Sequence, residues 1–183
     1  LGRGGRFTDS DFSVLEGDEY DTAFFDKRSK FLHYLPELVV INNIEFDHAD
    51  IYNSLEEIKL SFRRLTQIIP RNGLALVNAD DPNCLDVVKG APCPVKTLGF
   101  SDSSNIRILD VETSTDGSHF TLEGTRYYVP MIGEFNIRNA AMAIAAAQFA
   151  GLNVKQLADS MGRFEGVARR QEVKGVVNGI SVV

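Results

Sequence analysis

The chain contains no tryptophan, two cysteines and three histidines. The cysteines, Cys84 and Cys93, have no metal-ligand spacing with any histidine, which argues against a zinc knuckle. Two thiols in a chain of this size are typical of a reducing cytoplasm, although the sequence leaves a disulfide between them open. Long apolar runs are also missing, because stretches such as Leu38–Ile41 are far too short to cross a bilayer. No apolar segment follows the first six residues, so no signal peptide is visible.

Two motifs of common enzyme classes are absent as well. The sequence has no G-x-x-x-x-G-K-[ST] phosphate loop and no G-x-S-x-G nucleophile elbow. The net charge is −6, which argues against general nucleic-acid binding because that needs a basic face. One small nucleotide remains compatible with an acidic chain, since it requires only local donors.

The length and composition predict one globular domain. The chain has 183 residues, of which 44% are hydrophobic, enough to bury an ordinary core. It lacks an initiator methionine, and the final run Gly179–Val183 is typical of a strand. We therefore expect the chain to belong inside a longer protein and to hold only part of an active site.

The hydrophobic pattern predicts an α/β fold with a mostly parallel sheet flanked by helices. Buried strands are expected at four short apolar runs, Phe12–Leu15, Leu38–Ile41, Leu74–Val77 and Val95–Leu98. From residue 105 to 131 the pattern alternates and contains Asp-Gly and Glu-Gly, which indicates a small antiparallel appendage of hairpins. Helices are expected over residues 51–69, 81–88, 136–150 and 154–161, and a last hairpin around Asn178-Gly179.

Polar clusters follow several predicted strands, where ligands bind in open α/β sheets. The acidic run Glu16–Asp21 suits Mg²⁺, which prefers oxygen ligands, although a solvated acidic loop is an equal alternative. In the run Asn42–Asp50, His48 is a candidate metal ligand or base oriented by Asp47 or Asp50. The structural alternative is that one of these aspartates caps the next helix.

Three further groups are candidates. In Asn78–Pro82, Asp81 is an expected N-cap with proline at the first helical position, while Asn78 and Asp80 could face a crevice. Asn136 and Asn139 share a helix face and could read an adenine edge, although Asn136 could equally be the N-cap. The Arg169–Arg170 pair could bind phosphate.

Taken together, five strings in this order resemble the central ATP-binding domain of the Mur ligase family, the ATP-dependent amide-forming enzymes of peptidoglycan synthesis. The strings are EGDEYDTAFF (16–25), NNIEFDHAD (42–50), NADDP (78–82), GEFNIRN (133–139) and the pair Arg169–Arg170. The resemblance covers essentially the whole chain. It is greatest to the muropeptide-recycling member, which rejoins a recovered tripeptide to UDP-N-acetylmuramate. The L-alanine-adding member is the alternative within the family.

The resemblance implies roles for individual residues. Glu16 and His48 would be Mg²⁺ ligands, and Lys59 lies near the place where several relatives carry a carbamylated lysine. The ATP-binding residues would be Asn136, Asn139, Arg169 and Arg170, with Lys59 and Arg170 catalytic. The residues toward the UDP-muramoyl substrate would be Asp18, Tyr20, Asp21 and Phe25. Phe135 stands where many relatives carry histidine, so an adenine contact is not expected there.

The implied chemistry is ATP-dependent activation of a carboxylate as an acyl phosphate, which the amino group of the tripeptide then attacks. The family's phosphate loop would precede residue 1, and its C-terminal domain would follow Val183. We therefore expect the 183 residues alone to be inactive. A non-catalytic nucleotide-binding domain and a folylpolyglutamate-type ligase are the other hypotheses. The expected partners are UDP-N-acetylmuramate and murein tripeptide, with no nucleic acid and no membrane. The oligomeric state is left open.

Overall fold

The structure is a computed structural model that describes residues 8–22, 24, 26–166 and 175–182. This part of the chain has eight strands and four α-helices. The strands are β1 (Leu38–Ile41), β2 (Leu74–Asn78), β3 (Val95–Gly99), β4 (Ile106–Ser114), β5 (Gly117–Leu122), β6 (Thr125–Val129), β7 (Gly175–Val177) and β8 (Ile180–Val182). The helices are α1 (Leu55–Gln67), α2 (Pro82–Val87), α3 (Glu134–Phe149) and α4 (Val154–Gly162), with a short 3₁₀ helix at Lys30–His33.

Six strands form one mostly parallel sheet in the order β1-β2-β3-β4-β5-β6, flanked by helices, as the sequence predicted. The β4-β5-β6 portion is antiparallel, and the β5–β6 turn at Glu123-Gly124 has positive φ at both residues, the geometry of a type I′ turn. The sequence did not reveal that β4 also pairs in parallel with β3, through Leu98 and Ile106. The hairpins therefore continue the main sheet.

The chain divides into two compact units. The first comprises Leu1–Ala75 with Asp81–Val95, and the second comprises Leu76–Asp80 with Lys96–Val183. In the first unit, Phe31, Ile58 and Ile69 are among the buried core residues. In the second, the core includes a stacked pair of rings, Phe120 and Tyr127, 5.8 Å apart. That the chain is one partial domain stays a prediction.

Helix ends follow local chemistry closely. Ser54 caps α1 by accepting a hydrogen bond from the backbone N–H of Glu57, and Asp81 caps α2, with Pro82 at its start. Helix α3 is followed by Gly151, where φ is +88° and the backbone hydrogen bonds are those of a Schellman motif. The bounds of α2 and α3 were predicted correctly to within two residues, whereas α1 begins at Leu55, four residues after the expected start at residue 51.

One predicted strand is wrong. Phe12–Leu15 has no regular structure, and its apolar side chains are 53%, 97% and 61% exposed at Phe12, Val14 and Leu15. A four-residue run has too little intrinsic preference to form a strand without a pairing neighbour and a buried face. The acidic run therefore does not follow a strand.

The structure also describes the two cysteines and the last predicted hairpin. Cys84 and Cys93 are both buried and form no disulfide, as ordinary thiols would. Among the described residues no helix combines the length and the apolar character that crossing a bilayer requires. The last predicted hairpin is present as β7 and β8, with Asn178-Gly179 as its turn.

Candidate functional site

The acidic segment of the first unit folds back on the residues that follow it. Asp21 and Ser29 form an isolated antiparallel bridge, and the backbone N–H of Lys30 donates to the carbonyl of Tyr20 at 2.8 Å. The Lys30 ammonium lies 2.7 Å from the Asp18 carboxylate. This hydrogen bond is the main cause that holds the pKa of Asp18 below its usual value. Asp18 is therefore an anion at neutral pH.

His48 lies beside this segment. Its Nε2 is 3.4 Å from Oε1 of Glu19, and its ring meets that of Tyr20 edge to face at 4.3 Å. The expected orienting aspartates behave differently: Asp47 accepts a hydrogen bond from the backbone N–H of His48, and Asp50 accepts one from the hydroxyl of Tyr20. The carboxylate nearest the imidazole is thus Glu19. Neither aspartate caps α1, because Ser54 does.

Asp18, Glu19 and His48 form a cluster that fits a divalent cation. One ligand atom from each lies within 4.8 Å of the others. Two carboxylates match the preference of Mg²⁺ for oxygen, and a neutral imidazole can complete the set. His48, one of the two predicted ligands, is in this cluster. Glu16, the other, is exposed, and its role as a ligand stays a prediction.

Lys59 lies in an ion-pair network between α1 and α2. Its ammonium is 2.7 Å from Asp86 and 2.9 Å from Glu56, and Arg63 lies 2.5 Å from the same Asp86 carboxylate. The hydrogen bond to Asp86 is the main cause that raises the pKa of Lys59. Carbamylation requires a neutral amine, which this network disfavours. A catalytic role for Lys59 stays a prediction.

The residues of the NADDP string, 78–82, accept hydrogen bonds within each of the two units. In the first unit, Asp81 caps α2 and accepts a second hydrogen bond from the backbone N–H of Ile44 at 2.8 Å. In the second unit, Asp80 accepts hydrogen bonds from the backbone N–H groups of Phe100 and Ser101, both at 2.9 Å. The Asn78 side chain accepts from the N–H of Asp80. The predicted N-cap is confirmed.

Arg138 is a residue of this region that the sequence did not single out. It lies near the start of α3, 3.4 Å from Asp80, and its guanidinium stands 5.3 Å from the centroid of the Phe100 ring. A cation near a helix N-terminus is unfavourable with the helix dipole. From the sequence, an arginine at that position could therefore have predicted a carboxylate partner.

The two asparagines lie on α3 as expected. The helix begins at Glu134 with Gly133 as its N-cap at φ +95°, so the alternative that Asn136 is the N-cap is wrong. Asn136 donates a hydrogen bond to the carbonyl of Ile132 at 2.8 Å, and Asn139 is exposed. An adenine contact by either stays a prediction. Phe25, Arg169 and Arg170 lie outside the described residues.

Comparison with known proteins identifies the family. Residues 6–147 match the Mur ligase middle domain. The chain is 38% identical over 188 residues to the UDP-N-acetylmuramate–L-alanyl-γ-D-glutamyl-meso-2,6-diaminoheptandioate ligase of Haemophilus influenzae, covering 100% of this chain and 41% of the relative. It is 35% identical over 181 residues to the UDP-N-acetylmuramate–L-alanine ligase of Rubrobacter xylanophilus, covering 97% and 38%.

A solved structure gives the same result. The crystal structure of the UDP-N-acetylmuramate:L-alanyl-γ-D-glutamyl-meso-diaminopimelate ligase from Neisseria meningitides has a TM-score of 0.73 and 37% identity, covering 84% of this chain and 48% of that one. The chain thus spans about two fifths of the length of the curated relatives it matches. With more than half of its residues matched to the middle domain, the chain belongs to the Mur ligase family.

Proposed function

We propose that this chain is part of the central ATP-binding domain of a ligase that joins the murein tripeptide L-Ala-γ-D-Glu-meso-diaminopimelate to UDP-N-acetylmuramate. The observation that carries the proposal is the 38% identity to the Haemophilus influenzae tripeptide ligase along the whole chain. The phosphate loop and C-terminal domain would lie elsewhere in the full-length protein. The reaction would belong to peptidoglycan recycling in the cytoplasm.

The cluster of Asp18, Glu19 and His48 supports a metal role within this function. Its donor atoms would hold Mg²⁺ in the first unit, with Glu16 as the further ligand that the resemblance implies. A bound Mg²⁺ would offset negative charge on the phosphoryl oxygens of ATP. Tyr20 holds the imidazole of His48 by ring contact. It would also lie toward the UDP-muramoyl substrate.

The other residues have binding roles in the proposal. Asn136 and Asn139 share one face of α3 and would present amides to adenine. The residues that would approach the phosphates are Arg169 and Arg170, with Arg170 acting on the transferring group and Lys59 as a further catalytic candidate. The residues that would contact the muramoyl substrate are Asp18, Tyr20, Asp21 and Phe25.

The test is an assay of ATP consumption and product formation by the full-length protein. UDP-N-acetylmuramate is supplied with tripeptide, with L-alanine or with neither, and folate with glutamate is tested separately. We expect ADP release and amide formation when UDP-N-acetylmuramate is supplied with the tripeptide, and neither in the other mixtures. Activity with L-alanine would favour the de novo ligase, and binding of ATP without turnover would favour a non-catalytic nucleotide-binding protein. The isolated 183 residues are expected to be inactive.

A further inference from the structure

One tyrosine hydroxyl connects the acidic segment of the first unit to helix α1. Tyr52 lies just before α1, and its hydroxyl is 2.8 Å from the carbonyl oxygen of Glu19. The Tyr52 hydroxyl oxygen is also 2.8 Å from Oγ of Ser29 and 3.3 Å from Oγ of Ser61, and both serines are buried. The hydroxyl has one proton, and the Glu19 carbonyl can only accept. Tyr52 therefore donates to Glu19, and Ser29 donates to Tyr52.

The backbone of Tyr52 is attached to the other half of the cluster. Its N–H donates to the carbonyl of His48 at 3.0 Å, beside a similar bond from Ile51 at 2.9 Å. These bonds close a tight turn in which His48 has a φ of +54°, a conformation that is uncommon for a residue with a side chain. The turn therefore directs the imidazole, and Tyr52 is part of the turn.

A single residue thus contacts both chain segments that supply the cluster. Glu19 and His48 are 29 positions apart in sequence, and Glu19 lies in a segment without regular structure. The contact between their side chains, at 3.4 Å, is too long to hold the segments together by itself. The Tyr52 bonds are shorter, at 2.8 and 3.0 Å, and fix the backbone on each side.

We infer that Tyr52 is a positioning residue for the metal cluster, holding Glu19 and His48 at the separation that a divalent cation requires. This inference rests on the metal role given under the proposed function. Removal of the hydroxyl leaves the turn and the ring in place but removes the hydrogen bond that holds the carbonyl of Glu19. A site that must be reassembled on binding has a lower apparent affinity than a preformed one.

The test compares Tyr52→Phe with Thr66→Val in the full-length protein. Each change removes one hydroxyl from the first unit. The hydroxyl of Thr66 is away from the cluster and donates to the Arg63 carbonyl at 2.8 Å, with the Val87 carbonyl 3.1 Å away. The probe is Mn²⁺ alone, with free ion measured by electron paramagnetic resonance, and each variant's Tm is recorded beside it. We expect Tyr52→Phe to weaken Mn²⁺ binding by about three- to tenfold, the effect of one lost hydrogen bond, and Thr66→Val to leave it unchanged.

Several outcomes decide the matter. Equal Mn²⁺ affinity of Tyr52→Phe and wild type, with a lower Tm, would reduce Tyr52 to a structural residue and overturn the inference. Equal weakening in Thr66→Val would do the same. Ser29→Ala keeps the Tyr52 hydroxyl but removes its donor, so a smaller loss is expected there even if Tyr52→Phe does not fold. Wild type that binds no Mn²⁺, or His48→Ala that binds it normally, would refute the metal site itself.

Discussion

Two carboxylates of this chain, Asp80 in the second unit and Glu19 in the first, have very different surroundings. Asp80 accepts two backbone hydrogen bonds at 2.9 Å and faces the guanidinium of Arg138. The Glu19 carboxylate lies 3.4 Å from the imidazole of His48. The hydrogen-bonding capacity of Asp80 is largely used within the fold, whereas Glu19 retains capacity for a ligand.

These two acids differ in their contacts more than in their burial. The side chains of Asp80 and Arg138 are only 22% and 20% exposed, and backbone donors hold the carboxylate in place. The side chains of Glu19 and His48 are similarly enclosed, but two ionisable groups face each other there without a short hydrogen bond. Saturation of the donors and acceptors, more than burial, separates the two sites.

The largest expected effect separates the two carboxylates by stability. Asp80→Ala leaves two N–H groups and a largely enclosed arginine without their acceptor, so we expect it to lower the free energy of unfolding by about 2 kcal/mol. Glu19→Ala should change it by no more than about 0.5 kcal/mol, as at a site without saturated contacts. Urea unfolding measures both. Asp80→Asn keeps the shape and should fall between them, whereas equal losses at Asp80 and Glu19 would remove the distinction.

A second prediction concerns the glycines of the two regions. A Cβ built on Gly99 would lie 2.6 Å from Oδ2 of Asp80, while one on Gly17 would meet nothing within 4 Å. Because hydrogen bonds hold the Asp80 carboxylate, Gly99→Ala should lower the free energy of unfolding by about 1–2 kcal/mol. Gly17→Ala, in the acidic segment, is the matched control and should be nearly neutral.

A double variant sharpens this result. Where Asp80 has already been replaced by alanine, the carboxylate that Gly99→Ala would meet is gone. The cost of Gly99→Ala should therefore be smaller in that background, and urea unfolding of the four proteins gives the coupling. Strictly additive losses would mean that the two positions do not interact.

The smallest expected effect is on acid stability in the first unit. The pKa of Asp18 in the folded state lies below that of an unfolded aspartate, about 3.9. Its contribution is therefore present above about pH 4 and is lost as the pH falls toward the folded pKa. Lys30→Met removes the main cause of the shift, so the variant should be less stable than wild type at pH 7 and approach it in acid. Urea midpoints across pH check this, with the exposed Lys155→Met as control; a pH-independent difference would contradict it.

Much of the fold was predictable because it depends on local rules. Helix α1 has an apolar face at helical spacing and a serine N-cap, and Glu123-Gly124 forms the type I′ turn that glycine favours. The failure at Phe12–Leu15 has a physical reason. A strand depends on partners that a short run does not specify. The parallel pairing of β4 with β3 escaped prediction for the same reason, since it joins segments through a register that only the folded sheet defines.

The candidate site divides in the same way. Residue types and their order predicted His48 and an acidic segment, which the structure brings together, whereas the role of the asparagines of α3 stays a prediction. Which carboxylate meets His48 was not predictable, because Glu16, Asp18 and Glu19 are chemically alike and the loop geometry decides among them. Tyr52 and Arg138 were missed because each acts through a distant partner, Glu19 in one case and Asp80 in the other.

By itself, the sequence determined the α/β class, the bounds of most helices and strands, and membership of the Mur ligase family. These properties depend on periodicity, capping and motif order, all of which are local along the chain. Only the tertiary structure decided that the Asp80 carboxylate accepts hydrogen bonds from the backbone and that the Glu19 carboxylate lies beside His48. That choice depends on contacts between residues far apart in sequence, such as Tyr52 with Glu19, whose distances exist only once the chain has folded.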